Sequence, residues 1–140
     1  MSDIDPLVLL KQAERAAHNA YAPYSAFRVG AAIVTESGAI TTGCNVENAS
    51  YPVGGCAERH AIAAAVAAEG PMMRIAAIAV VAMSPVGDLV TCAPCGACRQ
   101  AILEFGPNAQ VFFRTDAGVG APVSAAALLP GAFAFEPKRD

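Results

Sequence analysis

The segment GGCAERHAIAAAVAAEGPMMRIAAIAVVAMS (Gly54–Ser84) joins a predicted helix to a predicted buried strand. The helix covers Cys56–Gly70 and ends at a glycine, which is a common residue at helix C-termini. The apolar run in Arg74–Ser84 is typical of a central strand. A helix that leads into a buried strand is characteristic of layered α/β domains. We therefore expect this part of the chain to form the centre of an α/β fold.

The rest of the chain repeats the alternation of helix and strand. Apolar periodicity and turn residues predict a helix (Asp5–Tyr21), a hairpin of two strands (Phe27–Thr35 and Ala39–Asn48), a short strand (Asp88–Cys92), a helix (Pro94–Gly106), a strand (Ala109–Thr115) and a short helix (Val123–Phe133). With 140 residues and no repeat or linker, the chain is predicted to form a single domain over residues 1–140.

The composition excludes several classes of function. The net charge is −3 and the nine basic residues are scattered, which argues against a nucleic-acid partner. The apolar runs are far shorter than the ~20 residues that a membrane helix needs, and the N-terminus lacks the pattern of a signal peptide. We expect a cytoplasmic protein that does not bind membranes. Its 55% hydrophobic and 15% charged residues also suggest an oligomer.

The cysteines are the most informative residues of the chain. Cys95 and Cys98 lie three residues apart at the start of a predicted helix, and Cys56 lies at the start of another. Helix N-termini favour thiolates, and converging thiolates favour zinc. Cys44 and Cys92 stand outside this pattern, and we expect them to behave as small hydrophobic residues.

Three interpretations of these cysteines differ in chemistry. Cys95 and Cys98 could be a redox pair, or His60 could complete a closed structural zinc site. The third interpretation is a catalytic zinc with water as its fourth ligand. It explains Glu58, because two residues at a helix start can both face the space beyond it, and Gly54-Gly55 lets the chain turn there. A structural zinc has no use for that carboxylate, so the sequence favours catalysis.

The motifs resemble those of the small zinc-dependent cytidine deaminases. The group's pattern of H-x-E with P-C-x-x-C has a variant with three cysteines. Here it stands as CAE (Cys56–Glu58) and PCGAC (Pro94–Cys98). Further matching stretches are YAPYSAFRVGAA (Tyr21–Ala32), GCNVENASYP (Gly43–Pro52), CAER (Cys56–Arg59), PCGACRQ (Pro94–Gln100) and LLPGAF (Leu128–Phe133).

The resemblance implies a three-layer α/β/α domain with a mixed, roughly five-stranded sheet. It also implies a homotetrameric hydrolase of pyrimidine salvage that acts on the C–N bond of a cyclic amidine. Its products would be uridine or deoxyuridine and ammonia, formed from cytidine or deoxycytidine with one Zn²⁺ per subunit. The acidic chain and Glu47 disfavour nucleotides and polynucleotides as substrates. The alternatives are a deaminase of a related aminopyrimidine or purine base, or a non-catalytic zinc module.

The resemblance also implies roles for individual residues. The zinc ligands would be Cys56, Cys95 and Cys98, with Glu58 as proton shuttle and Arg59 donating hydrogen bonds to ligand sulfurs. The substrate contacts would be Phe27 at the pyrimidine, Asn45 and Glu47 at the ribose hydroxyls, and Tyr51 and Phe133 where a neighbouring subunit reaches the site. Ala57 would be a further substrate contact. The chain departs from the family at His60, where threonine is more usual.

Overall fold

The computed structural model describes residues 4–135. The elements in chain order are α1 (Pro6–His18), β1 (Arg28–Thr35), β2 (Ile40–Cys44), a 3-10 turn (Tyr51–Val53), α2 (Ala57–Glu69), β3 (Ile75–Met83), β4 (Leu89–Val90), α3 (Gly96–Phe105), β5 (Gln110–Thr115), β6 (Gly118–Val119), β7 (Val123–Ser124) and α4 (Ala125–Leu128). Within the described part of the chain, each helix is too short or too polar to cross a membrane.

The strands form one mixed sheet, which confirms the predicted α/β fold. Its order is β2-β1-β3-β5-β6, with β4 paired to β3 and β7 paired to β5. Strand β1 is antiparallel to both β2 and β3, whereas β3 and β5 are parallel. The five predicted strands are all present in residues 4–135. The two additional strands, β6 and β7, have two residues each, which is too short for a periodic pattern.

The helices cover both faces of the sheet and make three layers. Successive side chains of a strand point to opposite faces. In β1, Ala31 and Ile33 pack with residues of α2 and α3, whereas Ala32 and Val34 pack with residues of α1. One helix therefore lies on one face, and the remaining helices lie on the other.

Two glycines allow the helices to approach the sheet closely. A Cβ atom at Gly30 would lie 1.9 Å from the Ala13 carbonyl oxygen of α1. A Cβ atom at Gly43 would lie 2.4 Å from the Ala61 backbone nitrogen of α2. Because backbone atoms cannot move aside as a flexible side chain can, only glycine fits at these two positions.

The sheet topology brings the starts of α2 and α3 to one edge. Strands β2, β3 and β5 all run in the same direction, since β1 is antiparallel to the first two and β3 is parallel to β5. Helix α2 follows β2, and α3 follows β3 through the short strand β4. The carboxyl edge of such strands is where α/β proteins bind their ligands.

Several predicted boundaries differ from the structure. The second strand was predicted over Ala39–Asn48, but β2 ends at Cys44. The Asn45 side chain explains this end, because its Oδ1 accepts the Val29 N–H at 2.7 Å and its Nδ2 donates to the Phe27 carbonyl at 2.9 Å. The Asn45 side chain thus replaces one of the two backbone bonds of this pair, while the Asn45 N–H still donates to the Val29 carbonyl at 3.1 Å.

The predicted end helices are also shorter than expected. The first helix begins only after Asp5, whose side chain accepts the Leu7 N–H at 2.9 Å as an N-cap. The last helix was predicted over Val123–Phe133, but α4 ends at Leu128. Pro130 and the left-handed backbone of Gly131, with φ 64°, prevent its continuation.

Candidate active site

Three cysteines converge at the carboxyl edge of the sheet. Cys56 is the N-cap residue of α2, Cys95 is the N-cap residue of α3, and Cys98 lies in the first turn of α3. Their sulfur atoms all lie within 4.8 Å of one another, which is close enough for all three to bind one metal ion. The positive ends of two helices favour the thiolate forms, and a set of three thiolates fits zinc.

His60 does not belong to this cluster. Its Nδ1 lies 2.7 Å from the Cys44 carbonyl oxygen, and its ring fills the space beside Gly55. Of the residues that the structure describes, the metal-binding group contains the three cysteines alone. The closed site with three cysteines and one histidine is therefore not formed.

Glu58 lies in the first turn of α2, beside the cysteines. Its side chain is 4% exposed, yet it lines a cavity together with Cys56 and Cys95. Burial raises the pKa of Glu58 above its ordinary value. Its own backbone N–H, Cys98 and the charge of Arg59 oppose this rise only in part. The site thus combines a metal-ligand set with a buried carboxylate whose affinity for protons is increased.

The cavity has a volume of about 550 Å³, which is within the usual range for small-molecule sites. Its lining includes Glu58, Cys56 and Cys95, together with Ala57. The same lining includes Asn45 and Glu47. The structure therefore brings the residues predicted for catalysis and the residues predicted to bind the sugar into one cavity.

Asn45 and Glu47 also hold the loop that precedes β1. The carboxylate of Glu47 accepts the backbone N–H groups of Tyr24 at 2.9 Å and Ser25 at 3.1 Å, and it accepts the Ser25 hydroxyl. Asn45 bonds the backbone at Phe27 and Val29, as described above. Much of the hydrogen-bonding capacity of this pair is thus committed within the protein.

The predicted aromatic contacts lie at the edge of the cavity or outside it. Tyr51 lines the rim, is 75% exposed and packs edge-to-face against Tyr24, with ring centroids 6.0 Å apart. The lining does not include Phe27, which is half-buried. It does not include Phe133 either, which is 76% exposed and accepts a bond from Gln100 at its carbonyl oxygen. A single chain therefore does not bring these two phenylalanines to the cavity.

Arg59 contacts the metal-binding cluster as predicted from the resemblance. Its Nη2 donates to the Cys56 sulfur at 3.4 Å. This bond and the charge on Cys56 raise the pKa of Arg59, so the guanidinium stays positively charged. A cation at this position offsets part of the negative charge of three thiolates.

Three further residues of the site were not recognised in the sequence. Arg99 donates from Nε to the Pro94 carbonyl at 2.7 Å and from Nη1 to the Leu128 carbonyl at 3.0 Å, which holds the residue before Cys95 in place. Cys92 lines the cavity rather than the hydrophobic core, and burial raises the pKa of its thiol. Ser25 lies against Glu47. Only the RQ that follows PCGAC offered a sequence signal, for Arg99.

A family model described as "Cytidine and deoxycytidylate deaminase zinc-binding region" matches residues 5–114, which is well over half of the chain. The protein belongs to this deaminase family. The resemblance identified from CAE and PCGAC is thereby confirmed. The zinc-binding description agrees with the donor set of Cys56, Cys95 and Cys98, and zinc is the metal that the three thiolates fit.

Individual deaminases are similar over nearly the whole chain. The cytidine deaminase of Halalkalibacterium halodurans is 41% identical over 140 residues, which cover 98% of this chain and 100% of the relative. The crystal structure of cytidine deaminase from Burkholderia pseudomallei has 45% identity and a TM-score of 0.80, with 93% of this chain and 100% of that chain covered. The structure of the Mycobacterium tuberculosis enzyme has 38% identity and a TM-score of 0.80, with coverages of 95% and 100%.

Proposed function

We propose that this deaminase hydrolyses cytidine and deoxycytidine to uridine and deoxyuridine, with release of ammonia. The observation that carries the proposal is the buried carboxylate of Glu58 beside three converging thiols in a cavity of nucleoside size. Relatives that are cytidine deaminases align along almost the entire chain and support the same reaction.

The residues of the chain divide the chemistry between them. Bound by Cys56, Cys95 and Cys98, zinc would supply Lewis-acid activation of water. Glu58 would accept a proton from the attacking water and deliver it to N3 of the pyrimidine ring. The same carboxylate would then take the remaining proton from the new hydroxyl at C4 and pass it to the amino group. The C4–N bond then breaks, ammonia leaves and C4 becomes the carbonyl of uridine. Water is consumed and ammonia released, and Glu58 ends in its starting state.

The environment of Glu58 suits both steps. A group that acts first as base and then as acid works best when its pKa lies near the working pH. Burial raises the pKa of Glu58 in that direction. Ala57, which is fully buried next to it, keeps this part of the cavity apolar.

Asn45 and Glu47, which line the same cavity, would hold the sugar. Asn45 retains one free N–H and Glu47 retains one acceptor position after their bonds within the protein are counted. These groups match a sugar hydroxyl, which both donates and accepts. The carboxylate of Glu47 would repel a nearby phosphate, and we therefore propose a free nucleoside as substrate.

We further propose a homotetramer with one zinc per subunit, located in the cytoplasm and working in pyrimidine salvage. Tyr51 and Phe133 are large aromatic residues with more than 70% of their surface exposed in a single chain. Contacts between subunits would bury them and would bring Phe133 towards the cavity of a neighbouring subunit. Sedimentation equilibrium measures the subunit number directly, and a monomer at micromolar concentration would contradict the tetramer.

The decisive test is the ultraviolet absorbance change of cytidine and deoxycytidine on incubation with the zinc-loaded protein. We expect conversion of both nucleosides. Conversion of another aminopyrimidine or a purine base, with both cytidines inert, would favour a different deaminase. If the folded protein bound one zinc and converted none of these compounds, a non-catalytic zinc module would replace the proposal.

A further inference from the structure

The loop that precedes β1 is attached to Glu47 by three hydrogen bonds. Oε1 of Glu47 accepts the backbone N–H groups of Tyr24 and Ser25, at 2.9 Å and 3.1 Å. Oε2 accepts the hydroxyl of Ser25. Tyr24, Ser25 and Glu47 all line the cavity, so this attachment forms part of its wall.

The direction of the Ser25 hydrogen bond follows from a second contact. The backbone N–H of Phe27 donates to Ser25 Oγ at 3.0 Å. A hydroxyl has one proton to donate, and here the carboxylate is the available acceptor. The Ser25 hydroxyl therefore accepts from Phe27 and donates to Glu47, with no freedom to turn its proton towards the cavity.

These bonds leave Glu47 with limited capacity for a ligand. A carboxylate offers about four acceptor positions, two on each oxygen. Both positions of Oε1 are taken by backbone N–H groups, and one position of Oε2 is taken by Ser25. The remaining position lies on the same oxygen that the Ser25 hydroxyl holds. One hydroxyl of a ligand can use it.

The backbone of the loop also depends on these contacts. Ala26 has φ 58°, in the left-handed region that non-glycine residues seldom adopt. Such a conformation persists when neighbouring contacts hold it, and it is often found at ligand sites. Here the contacts of Ser25 with Glu47 and with Phe27 lie on either side of Ala26.

The charge state of Glu47 agrees with this geometry. The Ser25 hydroxyl makes the largest contribution to a lowered pKa of Glu47, and the two backbone N–H groups lower it further. Glu47 therefore stays ionised, and its carboxylate accepts a hydrogen bond from a hydroxyl of the ligand.

We propose that Ser25 is a positioning residue that directs the last free acceptor position of Glu47 at a single sugar hydroxyl. The inference rests on the proposed nucleoside deamination and adds a determinant of sugar recognition. Its consequence is that removing the Ser25 hydroxyl weakens binding only of substrates that carry the hydroxyl which Glu47 accepts.

The test compares Ser25→Ala with the unchanged protein on deoxycytidine and on 2′,3′-dideoxycytidine, which has no ring hydroxyl. Because a hydrogen bond to a charged group contributes substantially, we expect kcat/KM for deoxycytidine to fall about tenfold, mainly through KM. For dideoxycytidine we expect no change beyond about twofold, because that substrate makes no such bond to lose. The ratio of kcat/KM for deoxycytidine to kcat/KM for dideoxycytidine therefore falls.

Two companion variants separate positioning from other roles. Ser25→Thr keeps a hydroxyl, and we expect it to recover most of the lost discrimination. In a Glu47→Ala background, Ser25→Ala should add no further loss on deoxycytidine, because the hydroxyl acts through Glu47. Ser50→Ala is the matched control. It makes the same change on a nearby exposed loop residue whose side chain caps nothing, and it should leave both substrates unaffected.

Several outcomes would overturn the inference. An equal loss on both substrates, or loss of the folded state by thermal melting, would assign the hydroxyl to loop stability. An additional loss in the Glu47→Ala background would indicate that Ser25 contacts the substrate itself. If the wild-type protein is active and Ser25→Ala has an unchanged kcat/KM for deoxycytidine, the role of Ser25 is rejected while the proposed function stands. A wild-type protein inactive on both nucleosides would reject the proposed function, and the inference with it.

Discussion

At the scale of single residues, the site depends on side chains whose properties come from where the fold holds them. Glu58 is an ordinary glutamate in the sequence, but the first turn of α2 buries it beside three thiols and raises its pKa. Arg59, the next residue, points its guanidinium at the Cys56 sulfur. Adjacent residues on one turn would therefore supply the proposed proton shuttle and the positive charge that offsets the thiolates.

The first prediction concerns Glu58. Changing Glu58→Gln keeps the shape of the side chain and removes its ability to move protons. We expect kcat to fall at least 10²–10⁴-fold, in the range of general acid–base catalysis. Zinc content by elemental analysis and the circular dichroism spectrum should stay unchanged. Substantial turnover in this variant would remove Glu58 from the mechanism.

The second prediction concerns Arg59. Arg59→Ala removes the hydrogen bond to Cys56 while leaving all three sulfurs in place. Hydrogen bonds from neighbouring residues to metal ligands typically raise the affinity for the metal by about 10–100-fold. We therefore expect the zinc affinity of Arg59→Ala to be lower by about that factor. Competition with a chromophoric chelator measures this directly. Arg15→Ala, an exposed arginine on α1, is the control, and equal affinities in the two variants would contradict the prediction.

At the scale of secondary-structure elements, α2 and α3 matter because of where they begin. Both N-caps are cysteines with extended backbone, so each helix presents a thiol together with unpaired N–H groups. The periodicity of the sequence predicted both helices to within two residues of their observed ends. The periodicity could not predict the anchoring role of Arg99, because the Leu128 carbonyl that Arg99 binds is 29 residues away in the chain.

Arg99 provides the third prediction. Its two bonds tie the residue before Cys95 to the end of α4. Arg99→Ala should lower both the melting temperature and the affinity for zinc, because the α3 start loses its anchor. Arg99→Lys should show an intermediate effect, since lysine keeps the charge but cannot reach two carbonyl groups with a planar fork. Unchanged zinc affinity in Arg99→Ala would show that Cys95 is held without it.

The contact between β2 and α2 provides the fourth prediction. Gly43→Ala would place a Cβ atom 2.4 Å from the Ala61 backbone nitrogen. We expect the free energy of unfolding to fall by about 1–3 kcal/mol, as in other overpacked sites, when measured by urea titration. Gly120→Ala is the control, because its Cβ would meet only a methyl group at 3.5 Å and its backbone is unstrained. An equal effect in both variants would contradict the steric explanation.

At the scale of the whole molecule, the sheet topology places the metal-binding residues at the carboxyl edge of the sheet. The common direction of β2, β3 and β5 places α2 and α3 with their N-termini together there, and the metal-binding cysteines close that end. A bound zinc would therefore link the two helices across the sheet edge. Metal binding and global stability are expected to be coupled, because the unfolded chain cannot preserve this arrangement.

The fifth prediction follows from this coupling. Removal of zinc by a chelator at neutral pH should lower the melting temperature by several degrees, and stoichiometric zinc should restore it. The Glu58→Gln variant should show the same shift, because stabilisation by the metal does not require catalysis. A melting temperature that does not respond to zinc would show that the cluster contributes nothing to folding.

The sequence by itself determined the α/β alternation, the central strand and the spacing of Cys56, Cys95 and Cys98, because these depend on local periodicity and on residues close in the chain. Only the tertiary structure decided the partners of polar groups. It assigned His60 to the Cys44 carbonyl rather than to zinc, ended β2 at the Asn45 side chain, and joined Ser25 to Glu47 across 22 positions. Such hydrogen bonds join segments that are distant in the chain and form only when the fold brings them together. The pattern of neighbouring residues in the sequence therefore does not predict them.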